Sequence, residues 1–257
     1  MSDSTSALDA GTVSHDLSDG VATVTFGHPR SNSLPGRLLR QIAETVTELG
    51  ADDRARVIVL RSSGEGAFCA GASFDELRSI ADEETGREFF MGFARLILAM
   101  RGAPKFVVAR IHGKAVGGGV GVTAAADYAL AARRASVKLS ELAVGIGPFV
   151  VGPVIEKKIG LGAFSALSVD ATSWRDAAWA ERHGLFASVH ETTEELDAEV
   201  DRLATTLAAS NPDAMARLKR AFWQGTEHWE ALLAERAAMS GSLVLSDFAR
   251  RAIGAVK

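Results

Sequence analysis

Residues 113–130 read GKAVGGGVGVTAAADYAL. Gly117, Gly118 and Gly119 stand together, and Gly121 follows one residue later. Ordering three adjacent glycines is costly, because each loses more backbone freedom than any other residue. Such a run persists where the backbone itself has work to do. Ahead of it lies KFVVARIHG (105–113), an apolar run of buried-strand length. Behind it, small residues continue in a helix-like run to about residue 126. A glycine turn between a strand and a helix presents unpaired N–H groups at the positive end of the helix dipole. The turn therefore asks for an α/β unit and for a negatively charged ligand atom. Two ligands fit: a dinucleotide pyrophosphate, or an oxyanion formed during acyl chemistry.

The flanking sequence repeats the α/β alternation. GVATVTF (20–26) alternates Val21, Thr23 and Thr25 against Ala22, Val24 and Phe26, as a strand does. PGRLLRQIAETVTEL then puts Leu38, Leu39, Ile42, Val46 and Leu49 on one helical face, with Pro35 suited to the first turn. ARVIVLRS (55–62) reads as a buried strand, 83–101 as a helix, and YALAAR and SVKLSE as short strands. Near residue 190 the pattern changes. Thr192 and Glu195 form a capping-box signature, Asn211-Pro212 starts another helix, and 226–253 reads as helical. The expected division is a flexible N-terminus (1–16), an α/β core (17–190) and a helical region (191–257).

Composition narrows the function classes. In 257 residues, 47% hydrophobic, a sizeable core is expected. A net charge of −4 with no basic stripe argues against nucleic acid and against a membrane surface. The N-terminal stretch is polar and no apolar run approaches membrane length, so the expectation is a soluble, unexported, cytoplasmic protein. Cys69 is the only cysteine and the six histidines lack ligand spacing, so no metal site is expected.

Three segments carry candidate chemistry. GEGAFCAGASFDEL (64–77) follows a strand, and its turn can expose the Ala72 N–H; a plain strand–helix connection is the alternative. The glycine run is the second. Gly119-x-Gly121-x-x-Ala124 satisfies a dinucleotide fingerprint, with Glu141 at ribose-binding distance, but the helix is short and AFCAGAS stays unexplained. VKLSELAVGIGP (137–148) is the third. Glu141 stands in an apolar run that would raise its pKa and suit it to proton transfer near neutral pH; a solvent-facing strand end is the alternative. No G-x-S-x-G elbow is present, and Cys69 reads as a buried thiol rather than a nucleophile.

Taken together, AFCAGASFDEL, IHGKAVGGGVGVTAAADYALA, VKLSELAVGIGP and AWAERHGLFASVH resemble the crotonase (enoyl-CoA hydratase/isomerase) superfamily, in order and separation, from about residue 17 onward. The resemblance implies an α/β spiral of ββα units with a C-terminal helical trimerisation region, assembled as a homotrimer or a dimer of trimers. It implies an acyl-CoA substrate, with coenzyme A entering as part of the substrate and no separate cofactor. The thioester oxygen would sit between the N–H groups of Ala72 and Gly118, beside Gly117. Adenine would meet the turn at Ala67, Phe68 and Ala70, and Phe248 matches a position that reaches CoA from a neighbouring subunit.

Two departures stand out. Typical hydratases of the family use two glutamates; the second matches Glu141, while the first falls on Gly121. Asp75, Glu76 and Ser140 are candidates to replace it in space. In GIGPFVVGP, Phe149, Val150 and Val151 stand where many relatives carry a glycine-rich turn. They either narrow the acyl pocket toward a short or branched acyl group or start an apolar helix. The expected activity is hydration or double-bond isomerisation with Glu141 as single acid/base. Alternatives are a decarboxylase or C–C hydrolase using the same hole, a non-catalytic acyl-CoA-binding protein, and a nucleotide oxidoreductase.

Overall fold

The computed structural model describes residues 11–255. Apolar alternation builds strand β2 (Val21–Gly27), and the largely polar strand β1 (Thr12–Ser18) pairs with it antiparallel, Val13 opposite Phe26. Residues 12–16, expected to belong to a flexible N-terminus, thus lie in β1, and residues 1–10 lie outside the described residues. The reason is amphipathicity: β1 is largely exposed, but Val13 and Leu17 pack on the core.

Helix α1 (Gly36–Ala51) buries Leu38, Leu39, Ile42, Val46 and Leu49, the stripe its spacing predicts. Strand β3 (Val57–Ser62) is followed by short α2 (Phe74–Ser79), capped by the Ser73 hydroxyl, and long α3 (Glu83–Gly102), capped by Asp82. Strand β4 (Val107–Ile111), two-residue β5 (Ala115–Val116) and α4 (Gly118–Ala125) complete one turn of the spiral. The next turn supplies β6 (Tyr128–Ala132), β7 (Ser136–Lys138), a 3₁₀ turn (Leu142–Val144) and α5 (Gly152–Val169). Then come β8 (Arg175–Asp176), α6 (Ala177–Arg182) and β9 (Ser188–His190).

The strands divide between two sheets. One has six strands in the order β1-β2-β3-β4-β6-β9, parallel from β2 onward; the other has the order β5-β7-β8. Successive spiral turns thus place one strand in each sheet. Isolated parallel bridges, Cys69 to Ala115 and Leu34 to Ala72, carry the small sheet toward the earlier turn. This alignment brings the 69–72 segment beside the glycine run.

Helices α7 (Thr193–Ala208), α8 (Pro212–Phe222), α9 (Trp229–Leu243) and α10 (Asp247–Ala255) follow. The Thr192 hydroxyl accepts from Glu195 N, and the Asn211 side chain accepts from Asp213 N and Ala214 N, as their cap positions predict. The helical reading of 226–253 resolves into two helices, with the Ser246 hydroxyl accepting from Ala249 N at the restart. α7 covers the large sheet: Leu196, Val200 and Ala204 close a satellite core over Val57, Val59, Val108, Leu130 and Ala132. α9 crosses α3 where Gly86 meets Gly241. α8 is pinned by a buried cation. Lys219 Nζ lies 2.8 Å from Asp127 Oδ2 and donates to the carbonyls of Met100 and Lys105 at 2.7 and 2.8 Å.

Candidate active site

A narrow cavity opens at the N-terminus of α4. It is lined by Ala70, Gly71 and Ala72; by Phe74, Leu77, Phe90 and Phe93 from α2 and α3; by Gly117 and Gly118; by Ser140, Glu141 and Val144; by residues 146–151; and by Ser240 of α9. Its volume is about 60 Å³.

The three residues expected to carry the chemistry, Ala72, Gly118 and Glu141, all line it, as do Ala70, Gly117 and Phe149. Gly117 has φ +52°, a conformation that favours glycine, and its N–H donates to the Lys138 carbonyl. That turn leaves Gly118 as the first residue of α4, with no carbonyl a helical turn behind it to accept its N–H. Gly71, at φ +85°, places its Cα region against Val116 O and Gly118 N. Ala72 follows directly. Among the described residues, neither the Ala72 nor the Gly118 N–H donates to a backbone carbonyl. Both residues line the cavity, so two free donors serve one space.

Glu141 lies across from them. A Cβ on Gly117 would stand 3.0 Å from Glu141 Oε1, so the carboxylate packs on the bare face of the glycine turn. Its Oε2 is buried with no hydrogen-bond partner. Burial pushes the carboxyl up to about 7 from an ordinary 4.5. Its own carbonyl is engaged, accepting from Val144 N and Ile146 N at 3.2 and 2.9 Å, so the backbone is fixed while the side chain is left open. The reading of Glu141 as a solvent-facing strand end is thereby replaced.

The missing first acid has a physical explanation. A Cβ on Gly121 would collide with the Val151 side chain. Val151 fills the room a carboxylate there would need. Phe149, Val150 and Val151 all line the cavity, ahead of α5, which begins at Gly152. The substitutes named from sequence do not reach the site, with one exception. Asp75 pairs with Arg30 and Arg78, and Glu76 accepts from Gly36 N; neither lines the cavity. Ser140 does.

The other expectations divide. Ala70 lines the cavity, whereas Ala67 borders a separate surface depression with His28, Ser31 and Asn32, and its carbonyl accepts from Asn32 Nδ2 at 2.8 Å. The Phe68 side chain is fully buried, edge-on to Phe26, so only its backbone could touch a ligand. Phe248 is 58% exposed, packs near Gly145 and stays outside the cavity within one chain. Cys69 is buried, and burial pushes its thiol up to about 12, which disqualifies it as a nucleophile. The dinucleotide reading fails sterically: Gly119 abuts Cys69 and Gly121 abuts Val151, leaving no room for a pyrophosphate.

Ser240 was missed. It is 1% exposed and borders the cavity from α9. Its helix is more than a hundred residues from the glycine run in sequence, and nothing local marks it. The Gly86–Gly241 crossing brings it in. No described helix is long and apolar enough to cross a membrane.

A sequence model of the enoyl-CoA hydratase/isomerase family matches residues 16–248. Human mitochondrial methylglutaconyl-CoA hydratase is 32% identical over 76% of this chain and 58% of its own length. The match covers 63% of the corresponding rat and mouse proteins, so the chain spans about three fifths of these relatives. A short-chain-enoyl-CoA hydratase of Clostridium acetobutylicum is 27% identical over 80% of this chain and 79% of its own. Among solved structures, an enoyl-CoA hydratase from Mycobacterium avium superposes with a TM-score of 0.83 at 28% identity, covering 95% of this chain and 94% of that one. With the match running from the first strand into the last helix, this chain belongs to the enoyl-CoA hydratase/isomerase family.

Proposed function

We propose that the chain is an enzyme of the enoyl-CoA hydratase/isomerase type that acts on a short enoyl-CoA thioester through an enolate. The observation that carries this is the convergence of two free backbone donors and one unpaired, raised carboxylate on a single apolar cavity. Ala72 N–H and Gly118 N–H receive the thioester oxygen as it gains negative charge. Donors held in place ahead of the reaction need no reorganisation, and one such donor is worth about 2.7–4 kcal/mol. Glu141 moves the proton. The small cavity and its lining, without Lys or Arg, favour a short, uncharged acyl group.

One carboxylate suits double-bond migration. In a 3-enoyl-CoA, Glu141 takes a proton from C2, the electron pair moves onto the thioester oxygen, and the same proton returns to C4 as the C2–C3 double bond forms. No second acid is required. Hydration of a 2-enoyl-CoA is the second reading, supported by the hydratases among the relatives. There Glu141 activates water and passes its proton to C2. Assays with 3-butenoyl-CoA and crotonyl-CoA test both, in wild type and Glu141→Gln. Turnover of neither, or equal turnover by the variant, overturns the reading and leaves the non-catalytic acyl-CoA-binding alternative.

Assembly as a homotrimer or dimer of trimers belongs to the same proposal. Exposed Leu218, Phe222, Met239, Leu243 and Phe248 on α8 to α10 support it. Light scattering at a monomer mass would exclude it. The free Cys69 fits a reducing compartment, which we take to be the cytoplasm.

A further inference from the structure

Helix α3 gives the cavity a direction. A Cβ on Gly118 would strike the Phe93 ring, so that ring lies directly on the glycine turn. Two helical turns earlier on α3, Gly86 lies against the backbone of Gly241. Seven residues of α-helix rise about 10 Å. Phe90 stands between them on the same face of α3, and Phe90 and Phe93 both line the cavity. Ser240, the neighbour of Gly241, therefore borders the end of the cavity remote from the Gly118 donor.

Three polar side chains border this space: Ser140, Glu141 and Ser240. Ser140 and Glu141 are adjacent and belong to the glycine-turn end, where Glu141 packs on Gly117. Ser240 stands apart from them, buried on a wall built otherwise of aromatic and aliphatic side chains. The helix crossing asks only for a small residue at 240, and alanine would serve, as it does one turn earlier at buried Ala237. A polar tie between α9 and α3 is made by another serine: the Ser242 hydroxyl donates to Glu83 Oε1 at 3.2 Å. Neither need accounts for the Ser240 oxygen. A hydroxyl on a buried apolar wall costs stability unless something bonds to it. A site built to hydrogen-bond one group of its substrate turns away the analogue that lacks that group.

The charge of the matching group is constrained too. No Lys or Arg lines the cavity, so a carboxylate on the acyl chain would be buried without a cation and in the same space as Glu141. An uncharged oxygen meets no such penalty. We infer that Ser240 is a specificity-determining residue, and that the substrate is an acyl-CoA whose chain carries an uncharged oxygen, a ketone or a hydroxyl, remote from the thioester. Ser240 bonds to that oxygen while the thioester end sits at Ala72 and Gly118.

This inference rests on the acyl-CoA reading, and matched ligands separate the two. Calorimetry compares 4-oxopentanoyl-CoA with 4-methylpentanoyl-CoA, and 5-oxohexanoyl-CoA with 5-methylhexanoyl-CoA. Within each pair a carbonyl oxygen replaces a methyl group of similar size, so a general loosening of the wall cancels from the affinity ratio. Wild type is expected to favour the ketone in at least one pair. Ser240→Ala, which removes one oxygen, should shift that ratio about ten-fold toward the methyl ligand. Ser140→Ala should leave the ratio in place. A wild type that favours the methyl ligand in both pairs, a ratio unchanged in Ser240→Ala, or an equal shift in Ser140→Ala overturns the role of Ser240 while the acyl-CoA reading stands. Wild type that binds none of the four overturns both.

Discussion

Two buried charges in this chain are treated in opposite ways. Around Asp127, every polar atom is used. Its Oδ2 meets Lys219 Nζ and accepts from Val107 N at 2.7 Å, and its Oδ1 accepts from Trp223 Nε1 at 2.8 Å. Lys219 completes its three donors on two carbonyls. Around Glu141, one oxygen has no partner at all. A folded chain normally pairs its buried polar groups. The first site follows that rule and ties α8 to the core; the second breaks it within a cavity. The lesson is that burial alone does not mark function. An orphaned carboxylate facing open space does, because its partner is supplied by something that binds.

The sharpest way to break this contrast is Glu141→Gln. The variant should lose about 10²–10⁴-fold in kcat on whichever enoyl-CoA the wild type turns over. Its Tm should hold or rise, because an unsatisfied buried acid is removed. A melt that drops with activity intact would reverse the assignment.

Lys219→Met should do the opposite. Leaving Asp127 buried without its cation costs about 3–5 kcal/mol of stability, read by urea unfolding. The kcat/KM of the folded fraction should match wild type.

Gly121→Glu probes the sealed position between them. Forcing an acid against Val151 should destabilise by about 1–3 kcal/mol through overpacking, without raising hydration. Adding Val151→Ala should recover stability and increase the ratio of hydration to isomerisation. If Gly121→Glu alone is as stable as wild type, Val151 does not occupy that space.

The mildest test is pH. Glu141 titrates near 7 when folded against an ordinary 4.5, so the folded chain holds that proton more tightly than the unfolded chain. Its contribution to stability is full below about 4.5 and is lost as pH rises through about 7. Glu141→Gln should flatten that segment of the stability curve. Activity should run the other way, with kcat/KM rising through about 7 as the base form appears.

Much of the fold was legible in advance because hydrophobic period is a local property. The α1 stripe, the buried strands at 57–62 and 107–111, and the caps at Thr192 and Asn211 are each written within a dozen residues. What was not legible depended on contacts far apart in sequence. The polar 12–18 segment becomes a strand only because β2 offers an edge, and the break before α10 depends on the Ser246 hydroxyl. Ser240 carries no local signal, since a serine in a helix is ordinary until another helix places it in a cavity.

The sequence by itself determined that a glycine turn would precede a helix, that a lone acid would follow in an apolar run, and that the position two residues beyond the glycine triplet would carry no carboxylate. Those are statements about residue identity and spacing. Only the tertiary structure decided that Ala72 and Gly118 face one space and that Val151 closes the place at Gly121. Each of these joins separate turns of the spiral. Their meeting is set by strand register and helix crossing, which no single segment encodes.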